Sequence, residues 1–227
     1  MVDLKLPSAN LVEVPFAPNM PAKKGGPKQV PPLEKRVLVG TPLSLQLNKK
    51  TAGKDAELMG FLDREKDQFS YYLVLLSVSL QPEKNEAFQM VTLNVTMDCP
   101  AGNGSHRPLA WSMQPMHDMD VDKYTDTAKI SANAEFISAE IGGDVVTEVK
   151  NEFITPFGLQ TPTPYWVFTP TSSRRISGAY QCKLIVRAPT GVPTQGEVTI
   201  DVSLERKAWV VFSYRSEYTK DTTFTLG

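Results

Sequence analysis

From residue 69 onward the chain is dominated by alternation of apolar and polar residues. In residues 91–99, VTLNVTMDC, the Val, Leu, Met and Cys side chains fall on one face of an extended chain and the Thr, Asn and Asp side chains on the other. This period of two predicts a half-buried β-strand. Residues 180–188 and 198–204 repeat the pattern, and the Pro- and Gly-rich stretch between them predicts a hairpin with a long loop.

The same reasoning predicts strands in six further segments. They are residues 43–47, 69–80, 108–113, 129–141, 165–169 and 208–218. Helical patterns are few: a short one around residues 57–66, and one at residues 144–153, where Asp144 stands near the start of an apolar stripe. Many short strands with at most one or two short helices predict a mainly β protein, an antiparallel β-sandwich.

Proline sets the N-terminal region apart, because eight of the eighteen prolines precede Leu43. We expect residues 1–36 to form an extended arm and residues 37–227 to form a single sandwich domain with a polar insertion at about residues 48–68. The arm carries apolar residues such as Phe16, so we expect it to lie across its own domain or a neighbouring subunit. Phe16 is accordingly a candidate partner contact.

Composition narrows the classes of function. The chain has 227 residues, of which 41% are hydrophobic, and its formal net charge of -1 provides no broad field for nucleic acid. The longest apolar run, residues 71–80, is too short for a membrane helix. The N-terminal residues lack the pattern of a secretory signal, so we expect a cytoplasmic protein.

Cys99 ends a predicted strand, Trp111 follows twelve residues later, and Gly178, Tyr180 and Cys182 have the G-x-Y-x-C spacing. These three features resemble the immunoglobulin superfamily. The resemblance implies an immunoglobulin-like or related sandwich in which the two Cys residues face each other, the Trp packs on them and the Tyr makes a corner hydrogen bond. In a cytosolic protein the two thiols would stay reduced. Since this fold hosts many functions, the resemblance implies no functional residues.

The sequence contains no catalytic or cofactor-binding motif. Its two His residues, His106 and His117, have none of the spacings of zinc sites, and no nucleophile elbow or phosphate-binding loop is present. We therefore expect a protein that is not an enzyme and needs no cofactor.

One acidic stretch, HDMDVDKYTD, offers candidate metal ligands. Asp118, Asp120 and Asp122, together with His117 and Asp126, could supply oxygen and nitrogen ligands to a cation such as Ca²⁺. The spacing does not fit an EF-hand loop. The alternative is a solvated connection, or an edge strand whose charges prevent pairing with another chain.

The stretch TSSRRISG places Arg174 and Arg175 beside hydroxyl groups. Such a pair could contact a phosphate or a carboxylate on a partner, and the alternative is a solvated loop.

These observations favour a non-enzymatic protein–protein interaction or assembly module, with self-association through the arm as one form of it. A second hypothesis is a structural shell- or capsid-like subunit whose arm contacts its neighbours. A third is a hydrolase or cation-dependent protein that uses His117 and the Asp cluster.

Overall fold

The structure is a computed structural model. It describes residues 10–18, 32–48, 56–100, 107–116, 118–124, 135–141, 144–206, 210–217 and 219–226, without the side chains of residues 58, 119–124, 135–141, 144–151 and 210.

Fifteen strands, one α-helix and a short 3₁₀ helix (Lys220–Thr222) make up the described part of the chain. The strands are β1 (Leu11–Glu13), β2 (Phe16–Pro18), β3 (Val37–Gly40), β4 (Leu43–Leu47), β5 (Phe69–Leu80), β6 (Glu86–Asp98), β7 (Leu109–Gln114), β8 (Asp118–Tyr124), β9 (Glu135–Ile141), β10 (Asp144–Phe157), β11 (Tyr165–Phe168), β12 (Gly178–Pro189), β13 (Thr194–Arg206), β14 (Val210–Ser216) and β15 (Thr223–Leu226). The helix, α1, is Ala56–Glu65.

The strands form two antiparallel sheets. Sheet A has the order β1-β3-β5-β12-β7, with β4 also paired to β5. Sheet B has the order β2-β14-β13-β6-β11-β10-β8, with β15 paired to β13 and β9 paired to β10. The predicted antiparallel β-sandwich with few helices is confirmed.

The main core lies between the two sheets. Strands of both sheets alternate buried and exposed side chains, as a half-buried strand should. One buried cluster contains most of the residues that the alternation predicts to face inward, among them Val91, Leu93, Val95, Leu184, Val186, Val198, Ile200 and Val202. Trp166 and Phe168, from a short strand of sheet B, are fully buried in the same cluster.

Most of the predicted strands are confirmed. Residues 43–47 and 69–80 coincide with β4 and β5, and residues 165–169 match β11 to within one residue. The predictions at residues 108–113, 129–141 and 208–218 correspond to β7, β9 and β14. Of these segments, residues 129–134, 208–209 and 218 lie outside the described residues.

Helix α1 covers part of the outer face of sheet A, in the segment where a short helix was predicted. Glu57 in its first turn and Arg64 in its last turn suit the helix dipole. Leu62 packs against Tyr71 of β5, and Phe61 and Trp111 join them. We call Phe61, Tyr71 and Trp111 the outer aromatic cluster. No helix among the described residues has the length and hydropathy that a membrane span requires.

The helix predicted at residues 144–153 is wrong. This segment is the first part of β10, which pairs with β9 on one edge and β8 on the other. Its valines are β-branched and suit an extended chain. The end of this segment also departs from regular alternation. The register shifts between Glu152 and Ile154, so that Phe153 and Ile154 are both buried although they are neighbours.

The predicted hairpin between residues 180–188 and 198–204 is also wrong. Strand β12 pairs with β5 and β7 in sheet A, whereas β13 pairs with β6, β14 and β15 in sheet B. The intervening residues therefore carry the chain across the core from one sheet to the other. Both strands bury their apolar faces in the core between the two sheets, which produces the same alternation that a hairpin would.

Within the predicted arm, residues 10–18 lie on the sandwich of their own chain. Strand β1 pairs with β3, and β2 pairs with β14. Val14, between them, is only 3% exposed, and Leu33 is also buried. These residues thus share in the core, which the sequence pattern did not predict. Residues 1–9 and 19–31 lie outside the described residues, and the domain boundary at residue 36 stays a prediction.

Candidate functional site

The acidic stretch predicted as a metal site lies on an edge strand. Asp118, Asp120 and Asp122 alternate along β8, opposite residues of β10. Only the side chain of Asp118 is described, and its Oδ2 accepts a hydrogen bond from Arg174 Nη1 at 2.9 Å. In the described part of the chain, no group of three or more His, Cys, Asp or Glu side chains is placed to hold a metal ion. His117 and Asp126 are outside that part.

Arg174 makes several contacts within its own chain. Besides the ion pair with Asp118, its guanidinium carbon lies 3.7 Å from the centroid of the Phe153 ring. Its backbone N–H donates to Thr171 Oγ1 at 3.0 Å, and its carbonyl accepts from the Thr171 N–H. Arg174 therefore fastens the loop at residues 170–177 to sheet B through its ion pair with Asp118, and its contact with a partner stays a prediction.

The third candidate partner contact, Phe16, also packs within the molecule. It is partly buried against the main core, in β2 at the edge of sheet B, and it lies opposite Ser216 of β14. Its role in the described structure is to seal the sandwich.

Arg175 has a different environment. It is exposed and lines a groove of about 570 Å³ between the β5–β6 turn and the loop at residues 170–177. Leu80, Phe88 and Ile176 form an apolar, buried floor. Gln81, Pro82, Glu83, Lys84 and Gln89 form a wall on the side of the turn. We call this the Arg175 groove.

The carboxylates of the groove are paired with arginines. Glu86 Oε2 accepts a hydrogen bond from Arg36 Nε at 2.8 Å, and Glu86 Oε1 lies 2.8 Å from Arg206 Nε. Arg36 also pairs with Glu83. Three distant parts of the chain are thereby joined: the segment before β3, the β5–β6 turn and the end of β13.

The same partners set the ionisation of Glu86. Burial by itself raises the pKa of this carboxyl. The hydrogen bond from the Glu83 N–H and the two guanidinium groups outweigh burial, so the pKa lies below its ordinary value. Glu86 is thus held as a carboxylate whose charge is already balanced.

The charged groups of the Arg175 groove that have no ion-pair partner among the described residues are positive. Lys84 and Arg175 are exposed, and among the described residues neither has an ion pair. A carboxylate placed here would meet two cations and no unbalanced anion, above an apolar floor. The sequence pattern identified Arg175 as a candidate. It could not identify Lys84 or the Glu86 network, because those residues come together only in the fold, through the pairing of β6 with β13 in one sheet and of β3 with β5 in the other.

The features of the immunoglobulin resemblance are only partly reproduced. The Tyr180 hydroxyl donates to the Ser177 carbonyl at 2.8 Å, as the predicted corner bond requires. Trp111, by contrast, lies in the outer aromatic cluster, so its predicted packing on the cysteines is wrong.

The predicted contact between the two cysteines is also wrong. Both are free and buried, and Cys99 Sγ lies 2.9 Å from Thr194 Oγ1, at the end of the sandwich where β13 begins. Cys182 precedes the end of β12 at Pro189 by seven residues, which is about 23 Å of extended chain. The thiols therefore lie at different levels of the core. Membership of the superfamily stays a prediction.

Two comparisons with known proteins found no match. No protein-family model matches the chain, and no curated protein matches it.

Proposed function

We propose that this protein is a non-enzymatic interaction module that binds an acidic, extended segment of another protein in the Arg175 groove. The observation that carries the proposal is the charge balance of the groove: Glu83 and Glu86 are neutralised by arginines of the same chain, while Lys84 and Arg175 are open. A site with unpaired cations over an apolar floor favours a ligand that has carboxylates and some apolar surface.

The position of the groove supports a protein partner. It lies where a turn and a loop meet at one end of the sandwich, and connecting loops on a rigid β scaffold often provide recognition surfaces. A cytoplasmic location belongs to the same proposal, and the two unbonded thiols support it.

The cation-dependent alternative has less support. Asp118, the one candidate ligand whose side chain is described, pairs with Arg174. The shell-subunit alternative makes a separate prediction, since such a subunit would form large closed assemblies that light scattering detects.

Affinity capture from native extract tests the proposal. The full chain and the variant with Lys84→Glu and Arg175→Glu serve as baits, and Lys183→Glu is the matched control because Lys183 is exposed on β12, outside the groove. We expect the groove variant to capture at least about tenfold less partner than the wild type, and the control to match the wild type. Added salt should weaken capture. Equal capture by all three baits would reject the proposal.

A further inference from the structure

The two cations of the Arg175 groove that have no ion-pair partner among the described residues stand on different walls. Lys84 belongs to the β5–β6 turn and Arg175 to the loop at residues 170–177, and the groove lies between these two segments. An ionised carboxylate carries a single negative charge. An acidic side chain that pairs with one of the two cations therefore leaves the other without an anion.

The carboxylates of the groove itself do not supply the missing charge. Glu83 and Glu86 line the groove, and arginines of the same chain balance both of them. Lys84 and Arg175 therefore leave the lining with two positive charges in excess. No His residue is among the described residues that line the groove, so this excess changes little between about pH 5.5 and about pH 7.5.

A third donor lies beside the guanidinium group. Ser177 is exposed and lines the same groove, two residues after Arg175. Its N–H donates to the Tyr180 hydroxyl at 3.3 Å, and its carbonyl accepts from that hydroxyl at 2.8 Å. These bonds fix the main chain of Ser177. Its side-chain hydroxyl has no hydrogen-bond partner among the described residues.

We propose that the acidic group recognised by the Arg175 groove is a phosphorylated Ser or Thr side chain of the partner segment. Such a group carries a charge of about −1.5 to −2 at pH 7 and has three acceptor oxygens. It matches both the excess charge and the donors of Lys84, Arg175 and Ser177. Arginine binds phosphate through two parallel hydrogen bonds, and lysine binds it as a point charge. The proposal rests on the proposed function, because it names the ligand of the same groove.

Apolar atoms near the cations favour a phosphorylated chain over a free phosphate ion. Pro82, Ala87 and Pro170 line the groove and are half-buried. A phosphate ion would leave their apolar surface in water, whereas residues that flank a phosphorylated side chain cover it. We therefore expect that inorganic phosphate at the concentration of the peptide does not displace it.

Retention of peptide libraries on the immobilised full-length protein tests the proposal. Three libraries have the same random, uncharged flanking residues and differ only in the central residue, which is phosphoserine, glutamate or serine. We expect the phosphoserine library to be retained at least about fivefold better than the glutamate library, and the serine library to be retained least.

The dependence on pH separates phosphate from carboxylate recognition. The second pKa of a phosphorylated side chain is about 6, so retention of the phosphoserine library should rise between about pH 5.5 and about pH 7.5. Retention of the glutamate library should stay nearly constant, because glutamate is ionised throughout this range.

Single variants show which donors bind the phosphate. Lys84→Gln or Arg175→Gln should lower phosphoserine retention to the level of glutamate, since one of the two cations is lost. Ser177→Ala should reduce the preference for phosphoserine and leave glutamate retention unchanged. Lys183→Gln is the matched control, because Lys183 is exposed on β12 outside the groove. It should behave like the wild type.

Two failures can be told apart. Glutamate retention that depends on Lys84 and Arg175, with phosphoserine retained no better or displaced equally well by inorganic phosphate, would overturn the phosphate ligand and leave the proposed function intact. Retention of both acidic libraries that is unaffected by Lys84→Glu with Arg175→Glu, or no retention of either, would reject both proposals.

Discussion

Phe224 occupies the space that a side chain on Gly196 would need. The two residues lie opposite each other on β15 and β13, and an ideal Cβ on Gly196 would be 2.0 Å from Cζ of the ring. Phe224 is only 6% exposed and belongs to the main core. Glycine at this point of a strand is therefore explained by the close approach of the ring. The pair fastens the last described strand to sheet B.

We predict that Gly196→Ala destabilises the fold by about 1 to 3 kcal/mol, because the added methyl group displaces a buried ring. Urea denaturation measures the free energy of unfolding. In a Phe224→Ala background the same substitution should cost much less, since the ring is gone. Additive losses in the double variant would contradict this explanation.

Glu86 makes stability depend on pH in a defined direction. Its pKa is lowered in the folded protein from an ordinary value of about 4.5, so the folded state favours the carboxylate. The stabilisation is present above the unfolded-state pKa and is lost as the pH falls through the folded-state pKa. Arg36 and Arg206 are the cations whose pairing is lost on protonation.

We predict that Glu86→Gln costs about 1 to 3 kcal/mol at neutral pH, because it leaves two partly buried guanidinium groups without their carboxylate. The difference between wild type and variant should shrink progressively below about pH 4. Urea midpoints measured from pH 7 to pH 3 check both statements. A difference that stays constant across this range would show that Glu86 acts through its shape and not its charge.

Cys182 should be chemically inert in the folded protein. The side chain is 1% exposed, and burial raises the pKa of its thiol to about 12. We predict no alkylation of Cys182 by iodoacetamide at pH 8 under native conditions and full reaction in denaturant, measured by mass spectrometry of peptides. Rapid native labelling would contradict the buried position.

Substitutions at neighbouring positions test the same strand face. Cys182→Ala should cost about 1 to 2 kcal/mol through the cavity that it leaves. Lys183→Ala should be close to neutral, because Lys183 points to solvent on the other face of β12. Equal losses of stability in the two variants would show that Cys182 and Lys183 have been assigned to the wrong faces of β12.

Periodicity predicted the sandwich well, because alternation reports directly which side chains meet the core. Strands 43–47 and 69–80 were predicted to the residue. The pattern could not say which strands pair. Two consecutive strands show the same alternation whether they pair within one sheet or lie in opposite sheets. This explains the wrong hairpin between β12 and β13.

The wrong helix at residues 144–153 and the absence of the groove from the sequence predictions have a related cause. In β10 the pairing with β8 and β9 determines the extended conformation. The sequence of the segment alone does not reveal these pairing partners. In the groove, Arg36, Glu86 and Arg206 meet from distant parts of the chain. The sequence could therefore identify Arg175 as a candidate, but not the charge balance that distinguishes it from Arg174.

We propose that acidic protein segments bind in the Arg175 groove. The most direct measurement follows the backbone amide NMR shifts of the full chain during titration with a glutamate-rich peptide. We predict that the largest changes occur at residues 80–89 and 175–177, and that they disappear in the variant with Lys84→Glu and Arg175→Glu. Unchanged shifts at these residues, or larger changes at the outer aromatic cluster, would contradict the claim.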